Sequence, residues 1–265
     1  TITAPGNHQD AKHQPFFPLH AAALARTRES LFAATARRWP VKEGPAVLLY
    51  QSKVQAGIIQ ADPMQLQVLK VLDKIAHDLR GKKNRTLFGL SLSKPVAAKG
   101  LYLWGPVGRG KTLMTELFLQ TLQDVPYQRW HFHRFMNHVH QQLAKMPDTA
   151  DTLAVLAKAI SADCRVLVLD EFFVADIGDA MILHRLLDQL NSQGVSLVTT
   201  SNVAPKNLYL HGLQRASFLP CIALIKRECH VLELLSAQDY RLRTLSHAAT
   251  YLTPANAANE QLLAE

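Results

Sequence analysis

Residues 105–112 read Gly-Pro-Val-Gly-Arg-Gly-Lys-Thr, a complete GxxxxGK[ST] pattern. Its chemistry is phosphate binding. Gly105, Gly108 and Gly110 let the backbone take turns closed to other residues, so successive N–H groups can point at one set of phosphates. Lys111 supplies a point charge to the β- and γ-phosphates, and the Thr112 hydroxyl is placed to hold Mg²⁺. The expected binding set is Gly105, Pro106, Val107, Gly108, Arg109, Gly110, Lys111, Thr112 and Leu113, with ATP or ADP as the ligand. A second chemical pair, Asp170-Glu171, closes a run of Val and Leu. Asp170 is expected to hold Mg²⁺ through water and Glu171 to polarise an attacking water as general base. That second carboxylate favours hydrolysis over phosphate transfer to a metabolite.

Three strands must position these groups. Leu101-Tyr102-Leu103-Trp104 is a short apolar run that suits a buried parallel strand, and residues 112–122 read as an amphipathic helix whose N-terminal dipole faces the loop. Residues 165–169 suit a central strand buried on both faces, with its carboxylates at the C-terminal end, where open α/β sheets bind ligands. A further strand over 195–200 ends at Ser201-Asn202, where a polar residue can orient water near a γ-phosphate. Gly212-Leu-Gln-Arg215 offers an Arg to a neighbouring subunit. Upstream, Asp62-Pro63 reads as an N-cap with Pro at the first helical position, opening a helix to about Leu79 that buries Leu66, Leu69, Leu72, Ile75 and Leu79.

Composition sets bounds. The chain has 265 residues, 48% of them hydrophobic, enough for one large α/β domain with an appendage. No apolar run approaches the length of a membrane span. Cys164, Cys221 and Cys229 show no CxxC spacing, as expected of a reducing compartment, and Cys164 reads as a small core residue. The net charge of +8 raises nucleic-acid binding, with Arg37-Arg38 and Arg80, Lys82, Lys83, Arg85 as the basic clusters. An acidic protein partner satisfies the same charge and is preferred. Residues 1–18 read as a flexible end. Residues 21–39 read as a basic peripheral helix, with a mitochondrial transit segment as the alternative. His131, His133, His138 and His140 invite a metal reading. Alternation over 130–134 places the first two on one strand face and the others on the next helix, with no Cys or carboxylate to complete a site.

Several motifs fall together in one order. Gly100 to Thr112 resembles the ZapE (AFG1-like) branch of the AAA+ ATPases, as do His131 to Met136 with Val139-His140, and Asp170 to Ile177 with Asp179 to Ile182. Thr200-Ser-Asn202, Gly212 to Arg215, Phe218-Leu-Pro220 and Asp239-Tyr-Arg-Leu-Arg243 extend the match over roughly residues 50 to 250. The resemblance implies an α/β P-loop fold of AAA+ type, with a central parallel sheet flanked by helices. It implies an N-terminal extension over 1–49, an ATPase core over 50–235 and the start of a lid over 236–265. It further implies Mg²⁺-dependent ATP hydrolysis by an oligomer, at least transient, with Asn202 as sensor 1 and Arg215 as arginine finger, and it sets Gln65 near the adenine. The implied partner is FtsZ, and the implied place is the bacterial cytoplasm at the division septum, the mitochondrial matrix being the alternative. Family members continue past Arg243 where this chain has only a helical tail, Pro254 to Ala264, so the lid is expected to be shortened. Arg241 and Arg243 are the candidates for a lid Arg, and the missing Met at residue 1 is expected to reflect trimming or processing. Against this stand a DNA-associated ATPase of helicase-loader type and an ATP-binding interaction module with little turnover.

Overall fold

The computed structural model describes residues 43–81, 96–146 and 151–235, with the backbone of 86–87 and 90–91. The readings made for residues 1–42, for Lys82, Lys83 and Arg85, for Arg241 and Arg243, and for the 254–264 tail lie outside the described residues.

Helices α1 (Pro45–Gln55) and α2 (Pro63–Gly81) lead in. A two-residue hairpin pair, β1 (Thr86–Leu87) and β2 (Leu90–Ser91), follows. Then come β3 (Gly100–Trp104), α3 (Lys111–Thr121), β4 (Tyr127–His131), α4 (Phe132–Lys145) and α5 (Thr152–Ala162). The described chain closes with β5 (Val166–Asp170), α6 (Ile177–Ser192), β6 (Ser196–Ser201), α7 (Arg215–Glu228) and β7 (Cys229–Glu233). Five strands form one sheet in the order β4-β5-β6-β3-β7, every neighbouring pair parallel. This is the flanked parallel sheet the P-loop pattern requires.

The central strands are buried on both faces, and their side chains divide by alternation. Leu101, Leu103, Val166 and Val168 join a core with Leu69, Leu72 and Phe118 from α2 and α3. Tyr102, Leu167 and Leu169 join a second core with Phe135, Leu183, Leu186 and Phe218 from α4, α6 and α7. The expected capping of α2 holds: Asp62 Oδ1 accepts from Met64 N at 2.8 Å and from Gln65 N at 3.3 Å. Leu69, Leu72, Ile75 and Leu79 are buried, and Leu66 is partly so.

One reading fails. The strand expected over 130–134 stops at His131, and His133 sits in the first turn of α4. Phe132, Phe135, Met136 and Val139 recur at helical spacing and are all buried, so the helix begins where that stripe begins. Three of the four histidines have ordinary partners, with His133 Nε2 lying 3.1 Å from Asn137 Nδ2. His138 stacks on Trp130 with ring centroids 5.3 Å apart, and His140 Nε2 lies 2.8 Å from Asp179 Oδ1.

Candidate active site

The loop between β3 and α3 is pinned before it turns. Gly105 N donates to Ser201 O at 3.2 Å. A Cβ on Gly105 would lie 2.5 Å from Leu234 O, and the residue has φ +150, so only glycine fits. Gly110, the N-cap of α3, takes φ +87, where a Cβ would press within 2.7 Å of Gln65 Nε2. No acidic residue stands in the first turn of α3, so nothing there offsets the helix's positive end.

Lys111, at that end, points back into the loop. Its Nζ donates to Gly105 O at 2.7 Å, to Pro106 O at 2.8 Å and to Asn202 Oδ1 at 2.9 Å. The last contact spans 91 residues of sequence, and it places the end of β6 directly against the phosphate loop. Thr112 and Asn202 are exposed beside it.

Asp170 ends β5 with its side chain 9% exposed. Thr200 Oγ1 donates to Asp170 Oδ1 at 3.2 Å and accepts from Glu171 N at 3.2 Å, so one hydroxyl ties both acidic residues to β6. Thr199 Oγ1 donates to Leu169 O and Ser201 Oγ to Phe172 O, both at 2.7 Å, extending the stitch on either side. Glu171 itself has φ 56, a left-handed conformation costly for a non-glycine residue, and its side chain is exposed. The strain is held by backbone contacts before and after it: Glu171 N to Thr200 and Phe172 N to Thr200 O at 2.8 Å. Below, Tyr102 Oη donates to Val203 O at 2.8 Å, and burial pushes that phenol's pKa up. Thr112 and Asp170 present hard oxygen donors, the chemistry that suits Mg²⁺.

Arg215 occupies the first position of α7. Its Nη2 donates to Lys206 O at 2.7 Å, while Nε is buried with no hydrogen-bond partner. The loop before it is contorted: Tyr209 has φ 51 and Gln214 φ 55. Tyr209 lies over Gly212, where a Cβ would fall 2.1 Å from its Cζ, and Tyr209 Oη donates to Leu213 O at 3.0 Å. Gln65 is buried against the phosphate loop, donating from Nε2 to Arg109 O at 3.0 Å. Two residues went unread in the sequence. Thr200 stood only inside a motif, and Arg129, whose Nε lies 2.6 Å from Asp170 Oδ2, stood in a strand with no signal of its own.

The family model described as AFG1-like ATPase matches residues 46–265. The chain belongs to that family. It is 48% identical over 162 residues to the cell division protein ZapE of Escherichia coli K12, covering 61% of this chain and 43% of that protein. An uncharacterized protein of Schizosaccharomyces pombe is 32% identical over 271 residues, covering 88% of this chain and 60% of its own length. The chain thus spans less than two thirds of either relative. Among solved structures, that of DnaI aligns with a TM-score of 0.49 at 15% identity, covering 68% of this chain and 89% of DnaI. Among the described residues of this family member no helix is long and apolar enough to cross a membrane.

Proposed function

We propose that this chain is the core of a Mg²⁺-dependent ATPase that works as an assembly on a protein partner. The observation that carries the reading is the Lys111–Asn202 contact at 2.9 Å. It joins the phosphate loop to the end of β6, whose Thr200 in turn holds Asp170 and Glu171. The loop, Lys111, Thr112, Asp170 and Glu171 all lie at the C-terminal ends of strands of one sheet, which supports reading them as a phosphate site, a hard-oxygen pair and a general base.

Loop N–H groups and Lys111 bind the phosphates, and Lys111 leaves its carbonyl contacts for the ligand. Thr112 and Asp170 would hold Mg²⁺, which when bound would neutralise charge on the phosphate oxygens. Glu171 accepts the proton of the attacking water, and Asn202 orients that water. Arg215 serves a neighbouring subunit's site as arginine finger. The relationship to a cell division protein supports a role in bacterial division, in the cytoplasm at the septum, with FtsZ as the partner implied by the family resemblance.

The test is steady-state ATP turnover per subunit against protein concentration, with Glu171→Gln as the blank. A rate that rises with concentration and vanishes in the blank is expected, and Arg215→Ala should then lower it by at least about a hundredfold while ATP binding persists. Turnover no greater than the blank at every concentration would overturn the reading of this chain as an enzyme.

A further inference from the structure

The Mg²⁺ reading gives Asp170 to a divalent cation, yet this carboxylate already has a cationic partner in its own chain. Arg129 Nε donates to Asp170 Oδ2 at 2.6 Å, a short charge-assisted bond. Arg129 sits on β4, which pairs with β5 in parallel register, and its side chain is 31% exposed. Its Nη1 also lies 3.9 Å from Glu116 Oε1, on the helix that the phosphate loop opens. The guanidinium thus lies between two carboxylates, one that ends β5 and one on α3.

We propose that Arg129 is a positioning residue that competes with the divalent cation for Asp170 and so sets how much Mg²⁺ the site requires, with Glu116 as its alternative partner. The proposal rests on the Mg²⁺·ATP reading of the site. Two cations drawn to one carboxylate repel each other, and because that carboxylate is only 9% exposed, solvent damps this repulsion only in part. The same guanidinium holds the carboxylate's orientation through a directed bond to Oδ2, while Thr200 holds Oδ1. Glu116, 49% exposed, can draw Arg129 away at little desolvation cost.

The experiment uses the full chain and a non-hydrolysable fluorescent ATP analogue, titrated first in EDTA and then with rising Mg²⁺. The readout is the Mg²⁺ concentration at half-effect. Arg129→Gln should lower it at least about fivefold, and Arg129→Lys should stay near wild type. Glu116→Gln should raise it, because Arg129 then rests on Asp170 alone. In the Arg129→Gln background Glu116→Gln should have no further effect, whereas a plain long-range charge effect of Glu116 would persist there. An unchanged or higher midpoint in Arg129→Gln overturns the proposal. If that variant does not fold, an unchanged or lower midpoint in Glu116→Gln overturns it instead. The reading of the site stands or falls separately on the EDTA titration: binding that Lys111→Ala abolishes supports it, and a wild-type chain that binds no analogue in EDTA or Mg²⁺ sinks both.

Discussion

At the scale of single residues, the site depends on a hydroxyl as much as on its carboxylates. Thr200 Oγ1 serves Asp170 Oδ1 and Glu171 N at once. Thr200→Val keeps the shape and removes both bonds, leaving a buried carboxylate oxygen and a backbone N–H unsatisfied. A loss of about 1–3 kcal/mol in stability is expected, read by denaturant unfolding. Turnover should fall by at least about tenfold with the nucleotide Kd little changed, because the strained Glu171 loses one of the backbone anchors that fix its carboxylate. A variant with wild-type turnover would show that Thr200 packs but does not position. The loop and the Asp-Glu pair were legible in the sequence because each is a contiguous pattern with one physical use. Thr200 and Arg129 were not, because their partners lie on neighbouring strands. Which strands neighbour each other follows from the order β4-β5-β6-β3-β7, and no local spacing encodes that order.

At the scale of elements, the same limit explains α1. No residue at its start supplies a side-chain cap, and Gly44 stands at the N-cap position. The cap comes from α2 instead: Asp73 accepts from Ala46 N at 2.8 Å and Val47 N at 3.1 Å. Gly44 is required there, since a Cβ would lie 2.3 Å from Asp73 Cγ. Burial raises the Asp73 pKa, outweighing the two backbone N–H groups that favour the carboxylate. Asp73→Ala removes both capping bonds and should cost about 1–2 kcal/mol, the range of a lost N-cap, with the far-UV helical signal reduced and ATP binding retained. Gly44→Ala should destabilise by a similar route, through the clash. By contrast, the cap of α2 was legible because Asp62 stands beside the residues it serves. His133 was misread because a two-residue alternation and the onset of a helical stripe look alike until Phe135, Met136 and Val139 are counted together.

At the scale of the whole molecule, one of the two cores that clamp the sheet, the one built with α4, α6 and α7, buries groups that ionise only at high pH, and these shape the alkaline stability of the fold. Burial pushes the Cys164 thiol up to about 11 and those of Cys221 and Cys229 to about 12, from 9.0. Tyr102 moves in the same direction for the same reason. A raised folded pKa means that the native state keeps its proton where the unfolded chain has lost it. Stability from these groups is thus whole below pH 9 and is lost as pH rises from 9 through 11 to 12, each thiol contributing a slope of at most about 1.4 kcal/mol per pH unit. The Tm should be flat with respect to these groups between pH 7 and 8.5 and fall steeply above 9. Replacing Cys221 and Cys229 by Ala should lower Tm at pH 7, because both are fully enclosed and leave cavities. It should also make the fall above pH 9 shallower. Thiol labelling separates the two effects: native wild type at pH 8 should react only as fast as it unfolds, and ATP should slow that reaction if the nucleotide binds the folded sheet. An alkaline fall that is equally steep without the two cysteines would assign it to other groups, and fast labelling of the native chain would show that this core opens without global unfolding.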